Sequence, residues 1–117
     1  MKFDRVLFVA AALFGAAGVA LSAAASHGGS TNVATAANFL LFHAPILIAL
    51  SLLVAGSRVL HVGAVILVVA VLLFSGDLLA RDYLGQRLFP FAAPLGGTGM
   101  IVGWLMLAVG GLLARKS

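Results

Sequence analysis

The stretch VGAVILVVAVLLFSGDLLA, residues 62–80, decides the fold. Its hydrophobicity is continuous rather than alternating, which argues against a transmembrane strand. Its length is close to the roughly 20 helical residues that cross a hydrocarbon core of about 30 Å. In lipid, only helices satisfy their own backbone without closing a barrel, so the stretch reads as a membrane-spanning helix. Three further runs of the same kind lie at residues 6–25, 34–55 and 95–113.

Composition points the same way. Of 117 residues, 63% are hydrophobic and 9% charged, with a mean hydropathy of +1.22. Soluble domains carry about 25% charge, so a water-soluble globule is excluded. Four passes use about 80 positions and leave about 37 for ends and turns, too few for an extramembrane domain. The expected fold is all-α, a four-transmembrane-helix bundle forming one integral membrane domain over residues 1–117.

The basic residues are scattered, so the net charge of +4 marks topology rather than a nucleic-acid surface. Lys2, Arg5, Arg58, Arg115 and Lys116 fall on one side of the four spans, and only Arg81 and Arg87 on the other. That bias predicts both termini in the cytoplasm. The start, Met1 to Arg5 followed by an Ala-rich run, also resembles a secretory signal. Its apolar length of about 20 exceeds the usual h-region of about 7–15, so a retained helix is expected. With no cysteine, disulfide and thiolate chemistry are excluded.

The connections differ in character. Ser26 to Asn32 is short and polar, and Gly56-Ser57-Arg58 is a tight hairpin. The segment from Arg81 to Pro94 mixes charge with Tyr83, Phe89 and Phe91, which suits a belt lying along the membrane surface.

Lipid tails are as apolar as leucine, so helix association in a bilayer depends on close backbone approach at small residues. Gly15, Gly18 and Ser22 form such a stripe on the first helix with Ala11 and Ala25, and Gly99 and Gly103 form a GxxxG on the fourth. These faces are read as seams within the bundle, with a homo-oligomer or partner seam as the rival. Gly96 and Gly97 open the fourth helix in this reading, where free N–H groups could hold an anion, although packing is the simpler role.

Polar residues at membrane depth are the functional candidates, because burying them is costly unless they are paired or wet. Asp77 lies about 5 Å inside the outer end of the third helix, and Arg81 follows at the i,i+4 spacing of a favourable pair. The plain reading is an interfacial salt bridge; the functional one is a proton or substrate site. His43 lies about 13 Å into the second helix, two residues before Pro45, which removes a donor to the carbonyl of Leu41. It is either hydrogen-bonded to a neighbouring helix or a protonation or ligand site. Asn38 points about 140° away from His43, so no continuous polar stripe results. His27, His43, Asp77 and Arg81 all fall in the outer half and form one candidate intramembrane polar site. His61, at the opposite end, reads as an interfacial residue.

Several chemistries have no support. Glutamate is absent, as are an HExxH, a phosphate-cradling Gly-rich loop and a nucleophile elbow. The three histidines lie at different depths, so neither a metal nor a haem site is expected, and no cofactor is implied. No acid–base or nucleophile constellation is present, so no enzymatic activity is expected.

Gly15 to Leu21 ending in Ser26-His27-Gly28, then Phe42-His43-Ala44, Leu73 to Asp77, and Pro94 to Thr98 leading to Gly103-Trp104-Leu105 occur in the order of a known family. Together they resemble the small YgdD/YwdK-type membrane proteins, domain-of-unknown-function family 423, which includes the mitochondrial transmembrane protein 256. The resemblance covers nearly the whole chain and implies a four-helix inner-membrane protein with no established activity or cofactor. His27 and His43 match histidines of the family pattern. Asp77 stands where many relatives have a small polar residue, and Pro45 interrupts a stretch that is usually plain helix.

Two functions of different class follow. The first is a non-enzymatic bundle in the lipid bilayer, acting as a homo-oligomer or an accessory subunit of a larger membrane complex. The second is a minimal carrier or lipid/quinone-binding protein using Asp77 and His43.

Overall fold

A computed structural model describes residues 3–114; Lys2, Arg115 and Lys116, on which part of the orientation argument rests, lie outside the described residues. The described chain is all-helical: α1 (Arg5–Ser26), α2 (Thr31–Leu53), a 3-10 turn (Val54–Gly56), α3 (Arg58–Tyr83) and α4 (Ala92–Leu113). Each of the four long helices is long and apolar enough to cross a membrane.

The helices begin earlier than the apolar runs because polar caps start them. Asp4 Oδ1 accepts the N–H of Leu7 at 3.0 Å, Ser30 Oγ accepts those of Asn32 and Val33, and Ser57 Oγ accepts that of Leu60 at 3.2 Å. Each satisfies a backbone donor that has no partner inside its helix. So α2 starts at Thr31 rather than 34, and α3 at Arg58 rather than 62. At its far end α3 runs on to Tyr83, while α4 starts at Ala92 rather than 95, which shortens the loop between them. Phe91 precedes α4 with φ 69°, a left-handed conformation that is uncommon for an aromatic residue. Pro45 is exposed and the α-helix continues through it, so the expected interruption of α2 does not occur.

The four helices form an open row rather than a closed bundle. α1 packs along α2, α2 against α3, and α3 along α4. Among the described residues no Cα of α4 comes within 8 Å of one in α1 or α2. The molecule is accordingly a slab, 49 × 29 × 18 Å. Leu7, Phe14, Leu40, Leu47, Leu67, Val71 and Met100 fill one continuous core across all four helices.

Glycines set the spacing of the two outer seams. A Cβ on Gly18 would come within 2.6 Å of Leu41, whereas one on Gly15 would sit at an ordinary 3.7 Å from Ala44. On α4, a Cβ on Gly103 would meet Leu67 at 2.7 Å, and one on Gly99 would meet Ala70 at 3.0 Å. Gly96 is closest to backbone: its Cβ would fall 2.7 Å from both the Ala70 carbonyl oxygen and the Phe74 nitrogen. It lies in the second turn of α4, not at its opening, so the reading of Gly96 as a free helix terminus is corrected. Ser22 is half-buried, and its carbonyl accepts the hydroxyl of Ser26 at 3.1 Å.

Candidate functional site

Asp77 is fully buried, three residues before the end of the apolar run of α3. Arg81, one turn on, donates from Nη2 to Asp77 Oδ2 at 2.8 Å. The other carboxylate oxygen, Oδ1, accepts the backbone N–H of Leu88 at 2.9 Å. Both oxygens are thus held, one by the helix and one by the loop leading to α4. A buried charge that is paired and hydrogen-bonded in this way fixes geometry, here the path of the chain between α3 and α4.

His43 belongs to a different constellation. It is buried on α2; its Nδ1 lies 2.8 Å from the Phe39 carbonyl oxygen and its Nε2 3.1 Å from Trp104 Nε1 on α4. An indole N–H can only donate, so Nε2 accepts and Nδ1 carries the proton that goes to Phe39. The two contacts therefore make Nδ1 the donor and Nε2 the acceptor. His27 is elsewhere again: it is exposed, and its backbone N–H closes the last turn of α1 on Ala23 and Ala24 at 3.2 Å.

The four candidates therefore separate. Asp77 and Arg81 are brought together; His43 and His27 share no hydrogen-bond partner with them or with each other. In the hydrogen bonds they make, they form one ion pair, one interhelical bridge and one helix cap. The partners each side chain finds depend on which helices adjoin, which a sequence does not show.

The chain matches over residues 10–97 the family described as "Protein of unknown function (DUF423)". It belongs to that family. Comparison with curated proteins and with solved structures found no match to either.

Two further ties in this DUF423 protein involve residues that sequence reasoning passed over. At the end bearing Asp77, Asp82 accepts the hydroxyl of Ser30 and, at 3.2 Å, the side-chain amide of Asn32, fastening the α1–α2 turn to α3. At the opposite end, Asp4 accepts from His61 Nε2 at 3.0 Å, and the Asp4 N–H reaches the Ser51 carbonyl at 2.8 Å. His61 is thus not merely interfacial but ties α3 to the start of α1. The Leu7 N–H holds the Asp4 carboxyl below the usual carboxylate range, with His61 adding to it against the opposing effect of partial burial. Asp4 directly before an apolar run is a cap signal that a sequence does carry. Asp82 and Trp104 have no such local signal.

The open row leaves several grooves between its helices, of which two bear on function. One, of about 390 Å³, runs between α1 and α3 past Leu13, Ala17, Leu72 and Leu79. The other, of about 460 Å³, lies between α2 and α4 and is lined by Phe39, His43, Phe74, Met100 and Trp104 among others. Among the described residues no three His, Cys, Asp or Glu side chains gather as a metal site.

Proposed function

We propose that this DUF423 protein is a non-enzymatic membrane component that works by assembly, as a homo-oligomer or as an accessory subunit of a larger membrane complex. The observation that carries the reading is the open row. α1 and α4 do not close on each other, and each presents large apolar side chains outward, including Val6, Leu13 and Val19 on α1 and Ile101, Leu105 and Leu112 on α4. The buried polar side chains, by contrast, are engaged within the chain: Asp77 with Arg81 and Leu88, His43 with Trp104 and Phe39, Ser51 with Ile48, and Ser75 with Ala36. Such a molecule offers surfaces rather than reactive groups.

In this reading the setting is a bacterial inner membrane, as the family resemblance implies, with both termini cytoplasmic, as the bias of basic residues suggests. A carrier built jointly on Asp77 and His43 is the weaker reading, because the two residues serve separate contacts. Native mass spectrometry of the protein extracted in mild detergent tests assembly. The expected result is a species heavier than the 11.9 kDa chain, carrying further copies or other subunits. A stable monomer without protein partners would overturn the reading. The cysteine-free sequence permits a clean topology test: Gln86→Cys is expected to react with an impermeant maleimide from outside the cell, and Ser57→Cys is not.

A further inference from the structure

The two grooves differ in what they offer a guest. Between α1 and α3 the walls are aliphatic apart from Phe14, and the Ser75 hydroxyl that lies there donates to the Ala36 carbonyl. With that donor committed, the groove offers a guest no side-chain donor and only the Ser75 oxygen as an acceptor. Between α2 and α4 the walls are aromatic, with Phe39 and Phe74 rings 4.7 Å apart and those of His43 and Trp104 5.7 Å apart. The volume of about 460 Å³ is within the usual range of small-molecule sites, roughly 300–1,000 Å³.

One polar contact crosses this groove, and its arrangement is specific. The α2 and α4 backbones stay more than 8 Å apart at every described Cα, yet Trp104 Nε1 donates to His43 Nε2 across the gap. Trp104 is 41% exposed, so its indole is a wall of the groove rather than part of the core. With Nδ1–H committed to Phe39, the bridge consists of one donor, on Trp104, and one acceptor, on His43.

We propose that the α2–α4 groove binds a membrane-soluble ring bearing a hydroxyl, a phenol in chemical class. A hydroxyl is at once an acceptor and a donor, so it can insert between Trp104 Nε1–H and His43 Nε2 and satisfy both. A carbonyl or an ether that opened the bridge would accept from Trp104 but leave the imidazole nitrogen without a donor, and an acyl chain can only lie beside the closed bridge, so neither gains by entering it. The flat walls of Phe39, Phe74 and Trp104 favour an aromatic ring over a flexible alcohol. The inference is independent of whether the chain assembles, and it is tested on the monomer.

Trp104 is the chain's only tryptophan, so its fluorescence reports on this groove without background. The full chain, reconstituted at one copy per lipid nanodisc, is titrated with 4-octylphenol and, separately, with the methyl ether of that phenol. The expected result is a saturable change in Trp104 emission, with the phenol binding at least about fivefold more tightly than the ether, as the loss of one desolvated hydrogen bond implies. His43→Phe keeps the fluorophore and an apolar wall, and is expected to bring the two affinities to within about twofold of each other. Equal affinities in the unaltered protein overturn the proposal and leave an apolar groove that any chain or helix can fill. Absence of saturation with the phenol overturns it as well. The unaltered protein decides the matter even if the variant does not fold.

Discussion

The two helical hairpins of the molecule are held by different means. In α3–α4 the tightest contact is at the level of backbone, with Gly96 against Ala70 and Phe74, while Gly103 meets the Leu67 side chain, and the connecting loop is tied to α3 by Asp77. In α1–α2 the glycines meet side chains, Gly18 against Leu41 and Gly15 against Ala44, and both ends are fastened from outside the hairpin. Asp82 of α3 holds its turn, and His61 of α3 holds its start at Asp4. The second hairpin is therefore self-locked, and the first is docked onto it. In a bilayer, where burial of apolar surface supplies little force between helices, packing contacts and polar ties of this kind are what define the arrangement.

The comparison is broken most severely at Asp77. Asp77→Ala removes the acceptor of the Leu88 N–H and the partner of Arg81 together, leaving a partly buried guanidinium. Loss of one member of such a pair costs about 3–5 kcal/mol when the remaining charge stays buried. Arg81 is 30% exposed and can turn toward the headgroups, which places the expected cost near the lower figure, about 3 kcal/mol. Thermal unfolding in detergent, followed by circular dichroism, measures it. Asp77→Asn keeps an acceptor for Leu88 and is expected to lose about half as much. Protease susceptibility between residues 84 and 91 should rise in the alanine variant, and a variant as resistant and as stable as the parent would show that the loop is not held by this residue.

The glycines sharpen the same contrast with opposite signs. A methyl group at Gly96 would fall 2.7 Å from backbone atoms of Ala70 and Phe74, which cannot move without shifting α3. Overpacking of that kind costs about 1–3 kcal/mol, offset in part by the roughly 1 kcal/mol that alanine gains over glycine in a helix. Gly96→Ala is therefore expected to destabilise by about 1 kcal/mol. Gly15→Ala meets only Ala44 at 3.7 Å and should be neutral or stabilising by a few tenths of a kcal/mol up to about 1. Equal effects at the two positions would remove the distinction between the hairpins.

Much of this was legible in the sequence, and the rest was not for identifiable reasons. The four helices follow from the apolar runs because lipid leaves the backbone no alternative. The Asp77–Arg81 pair follows from i,i+4 spacing, which is a property of one helix. Leu88 as the second partner does not, because it depends on how an irregular loop folds back over the helix. The His43–Trp104 bridge joins residues 61 apart, and Asp4–His61 residues 57 apart. Both require knowing which helices adjoin and how each is rotated. Depth along the spans groups His27, His43 and Asp77, while their hydrogen-bond partners differ. Membrane helices with apolar residues on every side carry little periodic signal to fix that rotation.

The smallest expected effect lies where the first hairpin is docked, at Asp4. Its carboxyl is held below the ordinary carboxylate range by the Leu7 N–H and by His61. A group whose folded value is depressed contributes stability that is fully present above its unfolded value, about 3.9, and is lost as pH falls through the folded one. Stability should thus be level in this respect around neutrality and decline below about pH 4, as protonation of Asp4 weakens both the cap of α1 and the tie to α3. Asp4→Asn retains a capping oxygen but loses the charge, so it should lie below the parent near neutral pH and converge with it in acid. The acid limb of a stability profile, compared between parent and variant, measures this. Parallel profiles would show that the Asp4 charge does not hold the first hairpin in place, leaving Asp82 and the Ser75–Ala36 hydrogen bond as its polar fastenings to α3.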